Sequence, residues 1–264
     1  MTETRQVSSG AATLHVEIDG EDGLPWLIAS NSLAADLSMW DDQMPGLTAR
    51  RRVVRYDTRG HGRSSAPEGP YSFDILVADM VAVLDALDIG EADILGLSLG
   101  GMTALGIALD HPGRVRRLVC AQARGMFPPP GIAMWDQRAQ AVRDGGLVAV
   151  VDDTLSRWFT PDTHRDRPEV VEKARRMILA TSPDGYIACT AALKGLDYLR
   201  RLGDITRPAL YVAGELDGGA PVDAMREMAD ATPDSRFEVI AGVAHIGNME
   251  KPDAYDRLLA DFLR

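Results

Sequence analysis

The sequence has 264 residues, of which 45% are hydrophobic and 25% are charged. This balance excludes a disordered or fibrous chain, and the length suffices for one large α/β domain with its own core. The net charge of −11 disfavours binding to nucleic acid or to an anionic membrane, because both carry negative phosphates. We therefore expect a small-molecule substrate and neither of these two partners.

The cysteines and the start of the chain indicate the cellular environment. Cys120 and Cys189 are far apart in sequence and fit neither a disulfide framework nor a metal site. The first ten residues lack the apolar segment of a secretory signal, and no apolar run is long enough to span a membrane. We expect a cytoplasmic protein with reduced cysteines and no bound metal.

Short apolar runs alternate with helical patterns in the first half of the chain. Ser72 is placed to cap the clearest helix, whose apolar residues recur at helical spacing. Strands alternating with helices through short links predict a mostly parallel sheet with helices on both faces. The predicted strands are 14–18, 25–29, 52–56, 93–97 and 115–121, and the predicted helices are 72–87 and 102–109.

This alternation stops after Ala123 and resumes at Pro208. The intervening residues contain three consecutive prolines and helical patterns, but no clear strand. After Pro208 the predicted elements are strand 209–213, helix 222–231, strand 237–240 and helix 252–263. We therefore predict an α/β core formed by residues 1–124 and 204–264. Residues 125–203 are predicted to form a helical lid over the sheet edge where catalysis occurs in such folds.

A Gly-x-Ser-x-Gly motif at residues 96–100 lies between a predicted strand and a predicted helix. In that context the serine stands on a strained turn, and the flanking glycines remove side chains that would clash. The start of the following helix also directs free N–H groups towards developing negative charge. We therefore predict Ser98 as a nucleophile. Gly-rich strand–helix turns are also common for packing reasons alone.

A nucleophilic serine needs a histidine base and an acid that orients it, in the chain order serine, acid, histidine. His245 lies in a loop of small residues after a late strand, whereas His164 is predicted to be a surface residue. Asp217 follows the preceding strand and stands before two glycines that allow a sharp turn. Glu215, one residue after a glycine, is expected to face solvent, so we predict the triad Ser98, Asp217 and His245.

The transition state also requires two N–H donors for the oxyanion. One is the backbone N–H of Leu99, the residue after the nucleophile. The other is expected in the loop that follows strand 25–29, and its position there indicates the backbone N–H of Leu33.

Together these residues resemble the α/β-hydrolase superfamily, and most closely the 3-oxoadipate enol-lactonases. The superfamily resemblance includes the loop at residues 57–64, and it implies a structural role for His61. The resemblance to the enol-lactonases rests on segments at 31–33, 36–40, 96–101, 135–138, 157–161, 180–186 and 244–250. The resemblance implies an α/β-hydrolase fold with a helical lid, and a serine hydrolase that opens a carboxylate-bearing enol-lactone through an acyl-enzyme without a cofactor.

The sequence departs from the enol-lactonase pattern near the expected pocket. Gln122, Ala123 and Arg124 stand where the family tends to have Asn-Thr-Ala. A substrate carboxylate needs a cation, for which Arg124 is the candidate, although a surface arginine at the junction with the lid is an equal alternative. Trp135 and Trp158 are candidates for the pocket wall or for the core of the lid.

The same triad is compatible with other activities. One alternative is another carboxylic-ester or C–C bond hydrolase on the same scaffold, and a second is a non-catalytic ligand receptor with an intact triad. An enzyme would turn over many substrate molecules, whereas a receptor would hydrolyse its ligand very slowly.

Overall fold

The computed structural model describes residues 2–264, so Met1, the first residue of the predicted core, lies outside the described residues. Eight strands form one sheet. In chain order they are β1 (Glu3–Ser9), β2 (Ala12–Asp19), β3 (Trp26–Ser30), β4 (Arg52–Tyr56), β5 (Ala92–Leu97), β6 (Val115–Ala121), β7 (Ala209–Gly214) and β8 (Ser235–Ile240).

The sheet is mostly parallel. Its spatial order is β1-β2-β4-β3-β5-β6-β7-β8, and only β2 is antiparallel to its neighbours β1 and β4. Every residue of β5 and β7 is buried, as expected for central strands with helices covering both faces. The predicted fold class, a mostly parallel sheet with helices on both faces, is confirmed.

Eleven α-helices are found in residues 2–264. Several begin with a proline in their first turn, where its missing N–H has no partner to lose. The helices are α1 (Met44–Thr48), α2 (Phe73–Ala86), α3 (Leu99–Asp110), α4 (Pro129–Gly145), α5 (Val148–Trp158), α6 (Pro161–Asp166), α7 (Pro168–Ala180), α8 (Pro183–Lys194), α9 (Val222–Asp230), α10 (Gly247–Glu250) and α11 (Pro252–Phe262).

The predicted elements are all present, with shifts of a few residues at their ends. Ser72 caps α2 by accepting a hydrogen bond from the Ile75 N–H. Helix α3 begins at Leu99, three residues earlier than predicted, because the chain turns directly from the serine into the helix. Strand β1 was not predicted, and it pairs with β2, so the predicted strand 14–18 is the second strand of the sheet and not its edge.

Helices α4 to α8 form a continuous segment between β6 and β7. Helix α4 packs on α5 and α8, and α5 packs on α7. The segment leaves and rejoins the sheet at one place, where the Gly125 carbonyl accepts from the N–H groups of Tyr198 and Leu199 at 2.8 and 3.1 Å. The boundaries of the predicted lid lie close to this junction, but its role as a lid stays a prediction.

Candidate active site

Ser98 stands on a sharp turn between β5 and α3. Its φ of +57° and ψ of −117° lie in a region that residues other than glycine rarely adopt. A Cβ atom at Gly96 would lie 2.1 Å from the Gly100 oxygen, and one at Gly100 would lie 2.1 Å from the Ser30 oxygen. Only glycine fits at both positions, so the motif allows the strand, the turn and the helix to pack closely around the serine.

His245 connects Ser98 to Asp217. It lies in the loop between β8 and α10, and its Nε2 atom is 2.8 Å from the Ser98 Oγ. Its Nδ1 atom is 2.7 Å from the Asp217 Oδ2. The structure therefore brings together all three residues of the predicted triad, which come from loops after β5, β7 and β8.

Asp217 is held as a carboxylate. Its other oxygen, Oδ1, accepts from the N–H groups of Gly219 and Ala220 at 2.7 and 3.0 Å. Burial by itself raises the pKa of Asp217, but the contact with His245 and the two backbone hydrogen bonds outweigh burial and hold the pKa below its usual value. An ionised Asp217 keeps a proton on His245 Nδ1, which leaves Nε2 free to accept one from Ser98. Glu215 is exposed and accepts from the Gly242 N–H instead.

The predicted oxyanion donors, Leu33 and Leu99, follow the neighbouring strands β3 and β5. Within residues 2–264, neither backbone N–H donates to a protein acceptor. The loop that carries Leu33 is fixed by the Asn31 side chain, which donates to the Tyr56 carbonyl and accepts from the Trp40 indole, at 2.8 and 2.9 Å. Two fixed N–H groups without acceptors suit an oxyanion.

The triad opens into a cavity of about 330 Å³ beneath the helical segment. Ser98 and His245 form part of its floor. Arg124, Trp135 and Trp158, the three residues predicted to bind substrate, all line this cavity. Most of the remaining wall is apolar, which favours a small ligand with few polar groups.

Two arginines in the cavity have no carboxylate partner within residues 2–264. The Arg124 Nε donates to the Gly219 carbonyl at 2.5 Å, and its guanidinium packs on the Phe127 ring. Arg157 also faces the cavity, and burial together with the charge of Arg138 lowers its pKa. Among the described ion pairs, neither Arg124 nor Arg157 appears, whereas Arg138 is paired with Asp153. Half-buried guanidinium groups without an anion are expected to bind one from the ligand.

Sequence reasoning missed Arg157 and Arg138, and it placed Gln122 near the expected pocket without giving it a role; all three line the cavity. Arg157 and Arg138 lie on the helical segment, where many arginines occur and only tertiary packing selects those that face inward. Gln122 follows β6 directly, and this position at the carboxyl end of a central strand was a usable signal.

Across residues 2–264, no group of three or more histidine, cysteine or acidic side chains is arranged to hold a metal ion. In the same range, no helix has the length and apolar character needed to cross a membrane.

Known proteins share this fold and much of this sequence. The model of the α/β-hydrolase fold family matches residues 25–252. A 3-oxoadipate enol-lactonase of Acinetobacter baylyi is 38% identical over 238 residues, which cover 90% of this chain and 88% of that protein.

Two solved structures are similar over almost the whole chain. The crystal structure of the enol-lactonase from Burkholderia xenovorans LB400 has a TM-score of 0.95 and 36% identity, covering 98% of this chain and 99% of that chain. A thermophilic esterase from Thermogutta terrifontis, solved with malate bound, has a TM-score of 0.93 and 27% identity, covering 99% and 98%. The predicted resemblance is confirmed: the chain belongs to the α/β-hydrolase family and is a hydrolase.

Proposed function

We propose that this protein is a serine hydrolase that opens a small enol-lactone bearing a carboxylate. The observation that carries the proposal is the hydrogen-bonded relay from Ser98 through His245 to Asp217, which faces a cavity with two unpaired guanidinium groups. The relay supplies a nucleophile and a base, and the positive charges of the arginines favour an anionic substrate.

In the proposed first stage, Ser98 attacks the lactone carbonyl carbon while His245 takes the serine proton. The N–H groups of Leu33 and Leu99 donate to the oxyanion. The bond between the acyl carbon and the ring oxygen then breaks, the ring oxygen keeps the electron pair, and His245 protonates it. The products of this stage are an acyl-enzyme and an enol, which remain one molecule because the substrate was a ring.

In the second stage, His245 takes a proton from water and the resulting hydroxide attacks the acyl carbon. The bond to the Ser98 Oγ breaks, and the serine recovers its proton from His245. Asp217 stabilises the protonated imidazole in both stages. Every proton transfer uses these side chains, and the reaction needs no cofactor.

The substrate carboxylate is assigned to Arg124 and Arg157. Both guanidinium groups lie beside Gly219, since Arg124 donates to its carbonyl and a Cβ atom at this glycine would lie 3.6 Å from the Arg157 Nη2. The enol-lactonases at 36–38% identity and the related esterase with bound malate support a small carboxylate-bearing ligand. Trp135 and Trp158 are proposed to enclose its carbon skeleton, and helices α4 to α8 to act as the lid that excludes water.

The test compares kcat/KM for 3-oxoadipate enol-lactone, for neutral p-nitrophenyl esters and for a vinylogous diketone, with Ser98→Ala as the control. We expect the enol-lactone to be the best substrate and Ser98→Ala to lose its turnover. A higher kcat/KM for a neutral ester or for the diketone would favour the other hydrolase activities. Hydrolysis that stops after about one equivalent would favour a receptor.

The arginines are tested by Arg124→Ala and Arg157→Ala, with Arg143→Ala as the matched control outside the cavity. Each cavity variant is expected to raise KM for the enol-lactone by about 10-fold or more, because a charge-assisted contact is lost, and to have little effect on neutral esters. Equal losses for anionic and neutral substrates would remove that arginine from the proposed carboxylate site.

A further inference from the structure

Gln122 presents a buried carboxamide that has no partner. The residue is 0% exposed, and neither its Nε2 nor its Oε1 atom has a hydrogen-bond partner within the described chain. Buried polar side chains are nearly always hydrogen-bonded, so an amide with both ends free calls for an explanation. Gln122 also lines the cavity that contains Ser98, and a ligand there can supply the missing partner.

The backbone holds the Gln122 amide in place in a strained conformation. Its φ of +41° is unusual for a residue other than glycine. Its N–H donates to the Val212 carbonyl of β7, and the carbonyl of the preceding Ala121 accepts from the Ser98 N–H. A Cβ atom at Gly247 would lie 2.5 Å from the Gln122 Nε2, so the absence of a side chain there makes the room that the amide occupies.

The order of the strands determines which part of the substrate lies near this amide. Leu33 follows β3, on one side of the serine strand β5, whereas Gln122 follows β6, on the other side. The amide packs beside Gly247, two residues after His245. With Leu33 as an oxyanion donor, the carbonyl oxygen of a substrate would point towards the β3 side, and the leaving oxygen would lie on the side of His245 and Gln122.

We propose that Gln122 binds the leaving-group oxygen and thereby selects substrates with an enol leaving group. This inference rests on the proposed function. As the acyl C–O bond breaks, the Nε2–H of Gln122 donates to the oxygen that receives the electron pair. After His245 has protonated that oxygen, the new enol O–H donates to the Gln122 Oε1. A carboxamide suits both stages because it can donate and accept without a change of charge.

The experiment measures kcat/KM for a series of substituted phenyl acetates, from p-nitro to p-methoxy, and for the enol-lactone. Gln122→Met keeps the length of the side chain but removes both polar atoms. We expect a loss of about twofold to threefold for the p-nitrophenyl ester, whose leaving group needs little stabilisation. The loss should grow to about 10-fold or more for the p-methoxyphenyl ester and the enol-lactone.

Two further variants complete the design. Gly247→Ala pushes the amide away without removing it and is expected to give the same dependence on the leaving group. Gln140→Met makes the matched change at an exposed lid position and should leave every rate unchanged. The melting temperature of Gln122→Met should be equal to that of the wild type or a few degrees higher, because two unpartnered buried atoms are removed.

The outcomes separate the two proposals. The role of Gln122 would be overturned if Gln122→Met lowered kcat/KM equally for all the phenyl acetates, with or without a fall in the melting temperature. It would also be overturned if kcat/KM did not fall at all. If the wild type cleaves phenyl acetates but not the enol-lactone, the proposed function fails, and the ester series still decides the role of Gln122. A wild type that cleaves none of these compounds would overturn both.

Discussion

Replacing Asp217 by asparagine tests the relay at the link that the structure defines most fully. Oδ1 of the aspartate accepts from the Gly219 and Ala220 N–H groups, which can only donate. The oxygen of an asparagine must therefore stay in that position, so its NH₂ group faces the His245 Nδ1, 2.7 Å away in the wild type. Two donors cannot face each other at this distance, and His245 must shift its proton to Nε2.

The size of the effect follows from this change of tautomer. An imidazole with its proton on Nε2 cannot accept the proton of Ser98, whose Oγ lies 2.8 Å from that nitrogen. At another Ser-His-Asp triad the same substitution lowers kcat by about 10⁴-fold, and we expect a loss of this order here. That loss corresponds to about 5.5 kcal/mol in the activation barrier. The fold should change little, because the two backbone hydrogen bonds to the side-chain oxygen persist.

The assay is the initial rate of p-nitrophenyl acetate hydrolysis, with circular dichroism as the check of the fold. Glu215→Gln is the matched control, since Glu215 is exposed, lies two residues away and keeps an oxygen for the Gly242 N–H. We expect this control to retain the wild-type rate. The reasoning would be refuted if Asp217→Asn kept more than about a tenth of the activity, or if Glu215→Gln lost as much.

Three other predictions concern stability and reactivity. Gly100→Ala should lower the melting temperature by about 10 °C or more, since its Cβ atom would lie 2.1 Å from the Ser30 oxygen, whereas Gly113→Ala, in open space, should not. Burial and two nearby aspartates raise the pKa of Asp256 to about 6, above the ordinary value of 3.8. Its ionisation therefore destabilises the fold as pH rises between these values, and Asp256→Asn should raise the melting temperature at pH 8 but not at pH 3. Burial raises the pKa of both cysteine thiols, so mass spectrometry should find them alkylated only after unfolding.

The central strands and the turn at Ser98 were predictable because short stretches of sequence determine them. Central strands such as β7 are buried on both faces and therefore appear as continuous apolar runs. The motif around Ser98 was recognisable because its geometry requires glycine. At positions 96 and 100, backbone oxygen atoms lie too close for any side chain. Strand β1 escaped prediction because it is mostly polar and exposed, and it is held mainly by pairing with β2.

The walls of the cavity were less predictable because they depend on distant packing. Arg124 lies in the loop that begins after β6 and could be placed from the topology of the sheet. Arg157 lies on α5. Whether its side chain faces the cavity depends on how helices α4 to α8 pack on one another, which the sequence around Arg157 does not reveal. Gln122 had the right position but no distinctive chemistry, and the lack of a partner for both ends of its amide within residues 2–264 depends on tertiary packing.

The junction at Gly125 has a consequence for how such enzymes diversify. Because the carbonyl of this one residue binds both Tyr198 and Leu199, the chain crosses from the sheet into the helical segment and back at a single point. A different helical segment grafted between residues 126 and 197 would therefore have to span almost no distance, and the sheet would keep its register. Under the proposed function, such an exchange would replace the part of the cavity wall that α4 and α5 supply, while Gln122, Arg124 and the relay of Ser98, His245 and Asp217 would stay in place.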